Sequence, residues 1–285
     1  MRVSDLFTYA KKRQDIFLAR QAGQPKPWTR DLILRQYKFC NVFREDDATT
    51  VYIREKWRCD GADAIFRLSV ARCINRIESL RRIEVHPAIE NPKFWEIFHA
   101  LLRSAQPLVT GAYIVKTPAG MDKLDGVIEI LRPIREDALS MRAAWLSWTS
   151  NLPDTLEGMH QFLTGYSCIG GFMAYEIVSD LRYTDLLRSA PDVNTWAFLG
   201  PGATRGMCRL LNLPLDALSR NSKKDQLFML TCMQQILAAS KDPVNWPRGW
   251  PPWEMREVEH GLCEFDKYER TRLGEGRPKQ LYPGG

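Results

Sequence analysis

The chain has 285 residues, 45% of them apolar and 11% aromatic, which excludes a disordered protein and leaves room for one large domain or two small ones. No stretch reaches the ~18 uninterrupted apolar residues of a transmembrane span, and Met1–Phe7 carries no signal-peptide core, so a cytoplasmic protein with no membrane partner is expected. A net charge of +6 is modest for a nucleic-acid binder and fits an ordinary basic protein equally well.

Helical periodicity runs through most of the chain. Leu6, Phe7, Ala10, Ile16 and Phe17 space as one face of a first helix, which Gly23–Pro27 ends; Thr29 is placed to cap the next. Asp46 or Asp47 is placed to cap a helix through Tyr52, Ile53 and Trp57. An apolar run from Ala62 to Ile77 is interspersed with Arg67, Arg72 and Arg76. Pro87 and Pro92 bracket a break before a Lys93–Ser104 helix. Residues 111–118 read as a lone strand arm closed by proline. Helices are predicted over Lys123–Leu131, 136–148, Leu156–Leu163 and Gly171–Leu181, then around Gln226–Ala239 and near Trp253–Lys267. The Gly/Pro-rich tail, 274–285, is expected to be loosely ordered. These spacings predict an all-α fold, one domain over 1–285 with two lobes and at most a minor strand element.

Four stretches carry chemistry. Between two helical patterns, Trp196-Ala-Phe-Leu-Gly-Pro-Gly-Ala-Thr-Arg-Gly206 has a Gly-Pro-Gly turn that can lift backbone N–H groups towards an anion such as a DNA phosphate; Arg205 and Arg209 add cations. A plain helix–helix corner explains the same residues. In 35–47, Tyr37, Phe39 and Phe43 alternate with Lys38 and Arg44, as base stacking and phosphate contact require, and the Asn41 amide can read a base edge. An apolar face with a solvated charged side is the alternative. Glu176 and Asp180 share a helical face ahead of Arg182 and Tyr183, a carboxylate beside a cation, which also describes a structural ion pair. In 256–268, Glu259 and His260 offer proton-transfer groups on a helix that a simple charged surface would explain too.

The seven cysteines form no CxxC pair and the four histidines are widely spaced. Reduced, packed thiols follow, with no metal site. There is no GxxxxGK[ST] loop, no GxGxxG after a strand, no GxSxG and no HExxH, so neither a Walker-type nucleotide site nor a nicotinamide cofactor is expected.

Five stretches in order, Tyr37–Asp47, 110–115, Asp180–Tyr183, Gly200–Gly206 and Glu259–Tyr268, resemble the helical, DNA-glycosylase-like family of phage thymidine hypermodification. That family includes the helical domain attached to 5-hydroxymethyluracil DNA kinases. It also includes stand-alone α-glutamyl/putrescinyl thymine pyrophosphorylases, understood as amino acid:DNA transferases. The likeness spans about residues 28–270. It implies a helix–hairpin–helix fold that grips double-stranded DNA and flips a base, in a host-cell cytoplasm. It also implies a reaction: a kinase, here a separate partner because the chain lacks a P-loop, phosphorylates or pyrophosphorylates 5-hydroxymethyluracil. The transferase then lets the amine of a free amino acid, glycine being the family-level choice, displace that group at the exocyclic methylene.

The resemblance assigns no residue roles; side-chain chemistry does. Gly200, Gly202, Thr204, Arg205 and Arg209 would hold the DNA backbone. Asn41, Phe43 and Tyr175 would receive the base, and Arg44 and Arg182 would neutralise the leaving group. Asp47, Asp180, Glu259 or His260 would take the proton from the incoming ammonium. No cofactor is expected, and Mg²⁺ would enter only with a pyrophosphate. Two rivals stand beside this. A glycosylase would carry its aspartate roughly 18 residues after the turn, near Ser222 and short of Asp225; a DNA-binding module without catalysis would need only the cations.

Overall fold

A computed structural model of the chain describes residues 1–84, 86, 88–109, 115–143 and 152–282. Among these residues all regular structure is helical: α1 Val3–Gln21, α2 Leu32–Gln36, α3 Ala48–Lys56, α4 Asp63–Ile74, α5 Ile77–Arg82, α6 Phe94–Ser104, α7 Lys123–Ala143, α8 Leu156–Thr164, α9 Gly171–Leu181, α10 Pro201–Leu211, α11 Lys223–Ala239 and α12 Met255–Arg272. A 3₁₀ turn covers Arg44–Asp46, and one isolated antiparallel bridge joins Tyr37 to Leu281. None of the described helices is long and apolar enough to cross a membrane.

Most expected helices form where the apolar spacing puts them, with local differences. Asp31, not Thr29, caps α2, because its carboxylate reaches the N–H groups of Ile33 and Leu34. The two helices expected on either side of Pro133 are one, α7. The ring costs one intrahelical hydrogen bond, but Val127, Ile130, Leu131, Ile134 and Ala138 are all buried on that helix, and their burial keeps it continuous. Residues 115–118 of the expected strand arm form no strand; its remainder, 111–114, lies outside the described residues, as do 144–148 of the expected 136–148 helix.

The chain divides into two compact units, Met1–Asp47 with Val193–Gly285, and Ala48–Asp192. In the first, α12 is the central helix and packs against α10, α11, α1 and α2. Its approach to α10 is close. A Cβ on Gly206 would stand 2.1 Å from the Leu262 carbonyl oxygen, and one on Gly202 2.4 Å from Cys263 Sγ. The tail is tied in at residues 280–282: Lys38 N–H bonds the Gln280 carbonyl, Tyr282 N–H bonds that of Gln36, and Tyr282 is buried edge-on to Trp28. In the second unit, α4 packs against α7 and α9, and α9 also against α8.

Candidate functional site

The site in the first unit begins with a loop stitched onto helices. Arg13 of α1 donates to the Phe39 carbonyl (3.3 and 3.1 Å) and to Asn41 Oδ1 (2.6 Å). Asn41 Nδ2 donates to the Asp46 carbonyl at 2.8 Å, and its backbone N–H to Asp47 Oδ1 at 3.0 Å. Cys40 N–H donates to Glu264 Oε2 of α12 at 2.9 Å. These bonds fix residues 39–47, whose regular structure is limited to the 3₁₀ turn at Arg44–Asp46. They set Cys40, Arg44 and Asp47 against the α12 face that carries Glu259, His260, Cys263, Glu264 and Lys267.

Burial sets the electrostatics of this face. It pushes the Glu259 carboxyl up to about 7, opposed by the Arg44 guanidinium and by the Gly200 N–H, 3.4 Å from Oε1. Burial likewise raises both thiols, Cys40 strongly and Cys263 to about 12. It lowers His260 below the usual imidazole value against the pull of Glu264 and Asp47. Glu264 resists the same burial and sits low, because the Lys267 ammonium lies 2.5 Å away. The result is one charged pair, neutral thiols, a neutral imidazole, and a carboxyl near Arg44 able to exchange a proton.

Asp47, Glu259, His260 and Arg44 are thus brought together, with Gly200 joined to them by its N–H. Asn41 and Phe43 share their loop but are spent. The Asn41 amide is used on both sides, and Phe43 is 3% exposed with its ring 6.0 Å from that of Trp246, so neither presents an edge or a face to a base.

The Gly-Pro-Gly segment serves packing. Residues 182–200 are turns and irregular chain, so no helix runs up to the turn from its N-terminal side, and Gly200 is simply the N-cap of α10. Gly202 and Gly206 admit α12, and Thr204, 5% exposed, bonds the Gly200 carbonyl through its hydroxyl. Arg205 (2.9 Å) and Arg209 (2.8 Å) converge on Asp266, which is 1% exposed, and Arg209 also pairs with Glu275. Of these two cations, Arg205 keeps the larger solvent-facing part.

Asp180, Tyr175 and Arg182 belong to the second unit. Both Asp180 oxygens accept from Arg72, at 2.5 and 2.6 Å, and Arg72 also donates to Thr50 and Asn75 and lies 3.7 Å from Glu176. A buried carboxylate held on both oxygens fastens α9 to α4. Tyr175 is buried on α9, and Arg182 is its C-cap. Asp225, the residue a glycosylase reading needs, lies in the first turn of α11. It accepts the Ser219 N–H at 3.0 Å, while Ser222 caps its own N–H.

Sequence reasoning missed Cys40, Glu264, Lys267 and Arg13. The first three sit inside the two stretches it singled out, and the i,i+3 spacing of Glu264 and Lys267 was the available signal for their pair.

The family model described as "5-hmdU DNA kinase, helical domain" matches residues 1–277. A 5-hmdU DNA kinase of Bacillus phage SP10 is 25% identical over 284 residues, covering 90% of this chain and 43% of its own length. The chain therefore spans less than half the length of that relative. No solved structure matches. The matched residues include the 39–47 loop and the whole of α12, so the assembled cluster lies inside the shared region, and the chain belongs to the family of 5-hmdU DNA kinase helical domains.

Proposed function

We propose that this chain modifies thymine in DNA as an amino acid:DNA transferase, acting on 5-hydroxymethyluracil that a kinase has phosphorylated or pyrophosphorylated. The observation that carries the reading is Glu259 beside Arg44 in a buried polar cluster, within a chain of this family. The amine nitrogen of a free amino acid, glycine by family likeness, forms a bond to the exocyclic methylene carbon. The carbon–oxygen bond breaks, and the (pyro)phosphate leaves with its electron pair. Glu259 accepts the proton that the ammonium must shed before its nitrogen can attack. Arg44 offsets the negative charge that grows on the leaving oxygens. Asp180, which holds buried Arg72 through both oxygens, is assigned a structural role in this reading.

In this reading a glycosylase-like helical scaffold presents double-stranded DNA to the cluster, and Arg205 is the phosphate contact with most surface to offer. The similarity to a 5-hmdU DNA kinase of Bacillus phage SP10 supports a kinase as the functional partner.

The test is mass spectrometry of nucleosides after the chain is incubated with DNA carrying 5-(pyro)phosphoryloxymethyluracil and pooled amino acids. A nucleoside with an amino acid in place of the (pyro)phosphate is expected. Unchanged substrate, or free base with abasic DNA, would overturn the reading.

A further inference from the structure

Three side chains that no sequence spacing unites meet at one point of the first unit. Cys40 and Asp47 come from the stitched loop and His260 from α12. One ligand atom from each, a sulfur, a carboxylate oxygen and an imidazole nitrogen, lie within 4.8 Å of one another. Three protein ligands about a zinc ion, at ~2.0–2.3 Å each, stand roughly 3.3–3.8 Å apart, so closing on an ion takes side-chain shifts of about an ångström.

A second observation points to a ligand. His260 Nε2 is sealed from solvent and has no hydrogen-bond partner among the described residues, a cost that a buried imidazole ordinarily avoids. The surroundings also hold the ligands in place. Asn41 N–H donates to Asp47 Oδ1, and Cys40 N–H to Glu264 Oε2, so both loop ligands have an orienting contact. Glu264 and Lys267 cancel as a pair; a carboxylate and, once bound, a thiolate face the metal, set against the Arg44 cation that also lies near His260.

We infer that Cys40, Asp47 and His260 bind one zinc-like divalent ion, with a fourth position left for water or a ligand oxygen. The mixed sulfur, nitrogen and oxygen set suits Zn²⁺ or Co²⁺ and not Mg²⁺, which takes hard oxygen ligands. The expectation of no metal site came from the spacing of positions 40, 47 and 260, which are brought together only by folding. This inference is independent of the reaction proposed above, because it is read without DNA or amino acid.

The experiment uses the full chain, stripped with chelator and then dialysed against Zn²⁺ or Co²⁺. One equivalent of zinc retained per chain is expected, with a thiolate-to-cobalt charge-transfer band in the Co²⁺ form. Cys40→Ser should abolish that band, Asp47→Asn and His260→Gln should each weaken binding by at least about tenfold, and Cys168→Ser in the second unit should leave it intact. Alkylation of the wild-type chain gives an independent reading should a variant fail to fold: zinc should protect Cys40 from iodoacetamide, located by peptide mass spectrometry. No retained metal, a cobalt band that survives Cys40→Ser, or Cys40 alkylated equally with and without zinc would each overturn the inference.

Discussion

The backbone N–H of Gly200 reaches Oε1 of Glu259 at 3.4 Å, so the start of α10 and the chemistry-bearing face of α12 meet at one carboxylate. This contact gives the Gly-Pro-Gly turn a role different from holding phosphate: it donates to an acid that burial has pushed up to about 7.

Glu259→Gln keeps the shape and the Gly200 contact but removes the proton acceptor. Product formation in the nucleoside assay should fall by roughly 10²–10⁴-fold, with DNA affinity by fluorescence anisotropy unchanged. Full activity in this variant would remove Glu259 from the chemistry.

The glycines on α10 should respond to alanine in a graded series. Gly206→Ala meets the Leu262 carbonyl, a backbone atom that cannot move aside, and should cost about 1–3 kcal/mol or more. Gly202→Ala meets the Cys263 side chain, which can turn away, and should cost less. Gly200→Ala meets nothing closer than 3.6 Å and should be nearly neutral. Urea midpoints in that order check the packing; equal effects at the three positions would contradict it.

Arg72 and Asp180 should behave as a structural pair. Asp180→Asn takes the nearer carboxylate from buried Arg72, and Arg72→Met takes the guanidinium from buried Asp180; each should destabilise by about 3–5 kcal/mol, while the double variant should lose less than the sum. Below the variant's melting range, the activity per folded molecule of Asp180→Asn should match wild type. A specific loss of turnover with stability intact would restore Asp180 as a base.

His160 of α8 gives the stability a pH dependence. Burial lowers it from its ordinary value of 6.5, against its hydrogen bond to the Gly171 carbonyl at 2.9 Å. Below 6.5 the unfolded chain takes a proton that the native one refuses. The contribution is therefore intact above that pH and is lost as pH falls through the folded value. Urea unfolding at about pH 7.5 and about pH 5.5 should show a smaller loss for His160→Gln than for wild type. His260 acts in the same direction but is present in both proteins, so it cancels in the difference.

Helices were legible because burial writes a period into the sequence: Leu6, Phe7, Ala10 and Ile16 of α1 are all buried. The loop at 35–47 and the helix at 256–268 were each legible as unusual, but their meeting was not. Nothing local to Asn41 announces that Arg13 and the Asp46 carbonyl will consume its amide. The alternatives at Gly200–Gly206 stayed open for a similar reason. Small residues followed by arginines describe a phosphate nest and a close helix crossing equally well, and the partner decides between them, here Leu262 for Gly206 and Asp266 for the two arginines. The helices predicted over 123–131 and 136–148 join across Pro133 because the burial around it outweighs the bond it removes.

The helix α12 is metered. His260, Glu264 and Lys267 address the 39–47 loop, Leu262 and Asp266 address α10, and Glu259 and Cys263 face both. Each residue advances the helix by about 100°, so inserting or deleting a single residue between His260 and Asp266 would turn one set away from its partner whenever the other is kept in phase. Length in that stretch is thus as constrained as composition: a conservative exchange of side chains there can be absorbed, whereas a change of one in the count cannot.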